Sequence, residues 1–122
     1  MCVYSLNMLV EISKAELIDK ITILEIKMDK IKNEERLVNV KKELDILREL
    51  EFETPLKRDL KQVNDLLWEV EDRLRILEKN KNFNHEFITK ARMVYILNDM
   101  RADIKKTINL ETQSNIIEEK SY

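Results

Sequence analysis

The stretch from Pro55 to Lys79, PLKRDLKQVNDLLWEVEDRLRILEK, places Leu56, Leu60, Val63, Leu67, Val70, Leu74 and Leu77 at alternating steps of four and three. That spacing lines apolar side chains along one stripe of a helix. Thr54-Pro55 marks its start. Thr accepts a hydrogen bond from an early helical N–H, and Pro suits the first helical position because its missing N–H has no partner there anyway. The spacing predicts a long helix over about 55–79.

The neighbouring segments repeat the pattern. Upstream, Ser13-Lys-Ala-Glu16 reads as a capping box, in which two side chains satisfy two orphan N–H groups. A helix to about Lys32 follows, with Leu17, Ile21, Leu24, Met28 and Ile31 in a heptad seam. Ile18, Ile23 and Ile26 widen its apolar surface, so this helix is expected to meet more than one neighbour. Asn33 reads as its C-cap. A second helix is expected over about Glu34–Leu50, with Leu37, Val40, Leu44 and Leu47 inward. Downstream, KNKNFN (79–84) is a polar loop, Asn84 an N-cap, and Phe83 and Ile88 stand at the spacing of a hydrophobic staple. A last helix runs to about Ile108. The fold class expected is all-α: an antiparallel bundle of about four helices, a short hairpin and a long one, over residues 13–109. Residues 1–12 form a short strand or extended arm, and 110–122 a polar tail.

Composition narrows the chemistry. The chain has 122 residues, no glycine and one proline. Phosphate-cradling glycine loops need a backbone with positive φ and no Cβ in the way, so P-loops, dinucleotide-binding turns and nucleophile elbows are excluded. Charged residues make up 38% and the net charge is −2, which gives no global field for nucleic acid or anionic membrane. No apolar run approaches the roughly 20 residues of a membrane span, and no signal peptide is visible. Cys2 is the single cysteine. No intrachain disulfide can form, and a reducing cytoplasm is the expected setting.

The last helix holds the sharpest irregularity. Its seam opens with Phe87, Ala91 and Val94, continues as Asn98, Arg101 and Lys105, and closes with Ile108. Two cations thus stand where the pattern calls for apolar groups, beside Tyr95 and Asp99. A cation leaving water needs carboxylates or an anionic ligand. The functional reading is an anion-binding cleft, with Arg101 supplying a fork of donors and Lys105 a point charge. In the plainer reading the inner face turns toward Ile96, Leu97, Met100 and Ile104, and the polar trio is solvated or ion-paired. A second stripe, Asn64, Trp68, Glu71 and Arg75, shares one face of the 55–79 helix. Trp68 there either stacks on a ligand ring or packs at a helix interface. Lys20 and Lys27 lie two turns apart on the first helix. Asp19, Thr22 and Glu25 on another face read as solvated surface.

Most enzyme readings fail. One histidine, His85, and one cysteine cannot build a Cys–His zinc site or the paired Glu-x-x-His elements of a di-iron bundle. Glu69-x-x-Asp72 matches half of the Mg²⁺ motif of helical nucleotide pyrophosphohydrolases, but the upstream half is missing. The arginine spacing of helical chorismate mutases is absent.

The strings Asp19-Lys-Ile-Thr-Ile-Leu-Glu-Ile-Lys27, Asn64…Leu67-Trp68-Glu-Val-Glu-Asp72, Asn98-Asp-Met-Arg-Ala-Asp-Ile-Lys-Lys106 with Asn109, and Glu118-Glu-Lys-Ser-Tyr122 resemble an uncharacterised family of small helical bacterial and phage proteins. The resemblance covers most of the chain from about Met8 and implies that residues 1–7 are an extension. It brings no established activity. It does mark the polar strings as signature, and implies a tail that folds back toward the last two helices.

The function expected is a non-enzymatic, oligomeric binding protein for a small anionic ligand of nucleotide or sugar-nucleotide type, with no cofactor and no metal. Lys20, Lys27, Arg101 and Lys105 would meet the anion, Trp68 or Tyr95 the ring, and Asn64 and Asn98 would add hydrogen bonds. Oligomerisation is expected because the long helix pair outreaches the short one and leaves apolar surface bare. The alternatives are a protein–protein adaptor and a small Mg²⁺-dependent hydrolase using Glu69, Glu71, Asp72 and Asp99.

Overall fold

The computed structural model describes residues 8–121. Four helices follow one another: α1 (Lys14–Lys30), α2 (Glu34–Arg48), α3 (Lys57–Lys79) and α4 (His85–Glu111). No described residue lies in a strand. The fold is an all-α bundle, as the leucine stripe indicates. Residues 8–13 carry no regular structure, and Met8, Leu9 and Val10 are exposed. The first seven residues of the expected arm lie outside the described ones.

α1 organises the bundle, because it alone touches each of the other three helices. Its wide apolar surface explains this. Ala15 and Ile18 pack with Leu60 of α3 and Ile108 of α4. Ile21 and Leu24 pack with Val40 and Leu44 of α2. A third cluster, Val63, Leu67, Val70 and Leu97, holds α3 on α4. Burying each such aliphatic side chain contributes roughly 1.5–3 kcal/mol. α2 packs on α1 and makes no comparable contact with α3 or α4.

The helix ends show how the chain manages without glycine. Lys81 after α3 and Gln113 after α4 take positive φ, at 53° and 55°. Both sit in Schellman motifs: Asn82 N–H donates to Leu77 O at 2.8 Å and Ser114 N–H to Asn109 O at 2.9 Å. Asn33, expected to end α1, instead caps the start of α2 by accepting from Arg36 N–H at 2.9 Å. α1 stops sooner than expected, with Ile31 extended behind Lys30. Thr54 Oγ1 accepts from Leu56 N–H, so the turn at Thr54-Pro55 leads into a helix that begins at Lys57. Asn84 caps α4 as expected. Phe83 packs edge-on against Phe87 at 5.1 Å, and Phe83 and Ile88 are both about half exposed.

The C-terminal segment is part of the bundle. Ser13 Oγ accepts from Glu16 N–H, Ser114 Oγ from Lys14 N–H and Asn109 Oδ1 from Ala15 N–H. Three N–H groups that a helix start leaves orphaned are thus met by side chains, two of them from the far end of the chain. Glu118 then accepts from Ser13 Oγ at 2.9 Å and from Asn109 Nδ2 at 3.3 Å. The tail folds back along α4 and the start of α1. The Glu16 carboxylate of the expected capping box turns away and accepts from Lys105 at 2.7 Å.

Candidate functional site

Asp19 lies at the centre of the polar interior, with its side chain 1% exposed. Its Oδ1 accepts from Asn64 Nδ2 at 2.8 Å and from Arg101 Nε at 3.1 Å. Its Oδ2 accepts from Arg101 Nη2 and, at 3.3 Å, from Lys105 Nζ. Thr22 donates its hydroxyl proton to Asp19 O at 2.8 Å and accepts from Asn64 Nδ2 at 2.9 Å. Burial alone would raise the Asp19 carboxyl's pKa. The hydrogen bonds from Arg101 and Asn64, with the charges of Lys105 and Arg101, outweigh it and hold the group below its ordinary range. Arg101 in turn is raised, chiefly by its hydrogen bond to Asp19.

This overturns the reading of Asp19 and Thr22 as solvated surface. Both are fully buried. The negative groups that meet Arg101 and Lys105 are Asp19 and Glu16 of the chain itself, two cations against two carboxylates. A pattern signal was present. Ala15, Asp19, Thr22 and Ile26 are spaced four, three and four, so Asp19 and Thr22 share a stripe with two buried apolar residues. The plainer reading of α4 holds in part: Arg101 and Lys105 are ion-paired and Leu97 and Ile104 face the core, but Ile96 and Met100 do not. Both are about half exposed, while Leu97 is buried.

Two clefts flank Arg101. One, of about 250 Å³, is lined by Ile23, Ile26, Asn64, Leu67, Trp68, Glu71, Asp72, Arg75, Asn98 and Arg101. The other, of about 360 Å³, is lined by Val94, Tyr95, Asn98, Arg101, Ala102, Lys105 and the tail residues Glu118, Glu119 and Lys120. Asn98 and Arg101 belong to both and form the partition. Of the eight residues singled out from sequence, Asn64, Trp68, Asn98 and Arg101 meet in the first cleft, and Tyr95, Asn98, Arg101 and Lys105 in the second. Lys20 and Lys27 line neither. Lys20 reaches toward Glu16 at 4.0 Å on the surface.

Arg101 spends Nε and Nη2 on Asp19. Among the described residues its Nη1, the Asn98 amide and the Trp68 indole N–H have no protein hydrogen-bond partner. These donors are presented on a guanidinium whose position Asp19 fixes. Such an arrangement can hold a carboxylate or phosphate oxygen without first paying to order the side chain.

Of the carboxylates considered for Mg²⁺, Glu71 and Asp72 line the first cleft and the other two are engaged elsewhere. Glu69 faces Lys30 at 3.7 Å and Asp99 pairs with Lys120. Among the described residues no group of three or more His, Cys, Asp or Glu is placed to hold a metal ion. Among the described residues no helix is long and apolar enough to cross a membrane.

Residues 8–122 match a family of unknown function, DUF6165. The chain belongs to this family. The match starts at Met8, where the signature strings placed it. No curated protein and no solved structure matches the chain.

A second polar centre was not visible in the sequence. Glu25 of α1, 12% exposed, accepts from Arg48 of α2 and from Lys57 and Lys61 of α3, each at 3.0 Å. Burial pushes its carboxyl up, but the hydrogen bonds from Lys57, Arg48 and Lys61 overcome this and bring it from 4.5 to about 2. It ties α2 electrostatically to a helix that α2 does not pack against.

Proposed function

We propose that this chain is a non-enzymatic binding protein for a small anionic ligand of nucleotide or sugar-nucleotide type. The observation that carries this is Arg101, anchored side-on by a buried carboxylate, with Nη1 unpaired among the described residues where two clefts meet. Asn98 adds an amide on the same partition, and each cleft supplies one ring side chain, Trp68 or Tyr95. Since Asp19 and Glu16 already balance Arg101 and Lys105, the ligand adds hydrogen bonds rather than cancelling a bare charge. Affinity in the micromolar to millimolar range follows from so few donors. A reducing cytoplasm is the setting this reading assumes.

Isothermal calorimetry against a panel of nucleotides and sugar nucleotides tests it. At least one member is expected to bind saturably, and Asn98→Ala, which touches no buried bond, to weaken it about tenfold. Absence of heat from every member at millimolar concentration defeats the proposal.

Association of copies is a second reading, favoured by apolar exposure on α4. Ile88, Tyr95, Ile96 and Met100 are each about half exposed, and such a surface tends to be covered. Sedimentation equilibrium at the monomer mass would remove it.

A further inference from the structure

The buried network fixes which way the Asn64 side chain faces. Thr22 spends its one proton on Asp19 O, so its oxygen is the acceptor toward Asn64. Asp19 is likewise an acceptor. Only the NH₂ group of Asn64 satisfies both, and its carbonyl oxygen is therefore turned away from Asp19 and Thr22. Among the described residues that Oδ1 accepts no hydrogen bond, although Asn64 is only 6% exposed. A buried acceptor without a donor is costly and rare. Asn64 lines the smaller cleft with Trp68, Glu71 and Asp72. Asn64, Trp68 and Glu71 stand at steps of four and three on α3, which places an acceptor, a ring and a carboxylate side by side.

We infer that this cleft takes the edge of a planar nitrogen heterocycle carrying N–H donors, stacked on Trp68 and read by Asn64 Oδ1 and Glu71, with an anionic substituent directed to Arg101. The inference rests on the anion-binding reading above and specifies the other half of the ligand. A cleft of about 250 Å³ is at the small end for ligand sites, the size of a ring rather than of a whole nucleotide. Its donors, Arg101 and Asn98, stand on the α4 side, and Arg75 faces Asp72 at 3.9 Å, whereas Asn64 Oδ1 and Glu71 beside Trp68 are acceptors, and these select donor-bearing ring edges over acceptor-only ones. Sites that pair a buried polar group with ligand N–H discriminate strongly against analogues lacking it.

Trp68 is the only tryptophan in the chain, so its emission reports occupancy of this cleft, and the Asn98 side-chain amide resonance reports the partition. The probes are guanosine monophosphate, its N1-methylated analogue, which keeps charge and stacking but lacks the ring N–H, and inorganic phosphate. Guanosine monophosphate is expected to quench Trp68 saturably, the methylated analogue to bind at least about tenfold more weakly, and phosphate to shift Asn98 without quenching. Equal binding of the methylated analogue, or an Asn98 shift with unchanged Trp68 emission under guanosine monophosphate, overturns the heterocycle inference and leaves the anion site standing. No response of Trp68 or Asn98 to any probe overturns both.

Discussion

Arg101 of α4 lies side-on against Asp19 of α1, with Nε 3.1 Å from one carboxylate oxygen and Nη2 on the other. The pair joins the helix that organises the bundle to the helix that partitions the clefts. Because Asp19 is completely buried and also receives Asn64 and Lys105, it serves two ends. It neutralises cations set in a core stripe, and it positions the edge of the Arg101 guanidinium that still has donors to give.

Removing that carboxylate leaves two cations facing a carboxyl-sized hole. Breaking a buried pair from one side costs about 3–5 kcal/mol. Asp19→Ala is expected to lower the urea unfolding free energy by that amount. A change under about 1 kcal/mol would mean that water reaches the network freely.

Acid should weaken the fold within a defined window. Asp19 and Glu25 both titrate lower in the folded chain than in the unfolded one. The stability they contribute is therefore complete above the unfolded value and disappears as pH falls through the folded one. For Glu25 that range runs from 4.5 down to about 2. The urea midpoint is expected to be nearly flat from neutral pH to about 5 and to fall below it. In Glu25→Gln the fall should be shallower, and the midpoint at neutral pH lower.

Glycine introduced into this glycine-free chain should stabilise it at two positions. Lys81 and Gln113 hold positive φ in Schellman motifs, a conformation that crowds any Cβ. Lys81→Gly and Gln113→Gly are each expected to raise the unfolding free energy by about 0.5–1 kcal/mol. Lys32→Gly, in the extended link between α1 and α2, serves as the control and should not stabilise.

α2 should open before the rest. Its apolar face meets α1 alone, and its far end is held by the Arg48–Glu25 ion pair. Native-state hydrogen exchange is expected to show α2 amides exchanging at lower opening free energy than those of α3 near Leu60 and Val63. Uniform protection across α2 and α3 would contradict this.

Helix number, order and the inward stripe of α3 were legible because one periodicity decides them. Leu60, Val63, Leu67, Val70 and Leu77 of that stripe are buried. The inward turn of Arg101 and Lys105 was legible as a break in the same periodicity. Their partner was not, because Asp19 in isolation is a charged residue on a helix, and helix surfaces are full of them. Only the stripe it shares with Ala15, Thr22 and Ile26 gives it away. Glu25 had no such signal, since its three cations come from α2 and α3 and depend on tertiary placement. Lys20 and Lys27 looked like site residues by spacing alone. Facing a surface carboxylate or solvent is the ordinary fate of such lysines.

Anion binding at Arg101 is tested most directly by a nuclear magnetic resonance titration of the wild-type chain with nucleoside monophosphates and sugar nucleotides, following the side-chain N–H signals of Arg101 and Asn98. Both are expected to move together and saturate with at least one member, while the amides around Lys20 and Lys27 stay still. Unmoved Arg101 and Asn98 signals in a folded protein, across the whole panel at millimolar concentration, would contradict it.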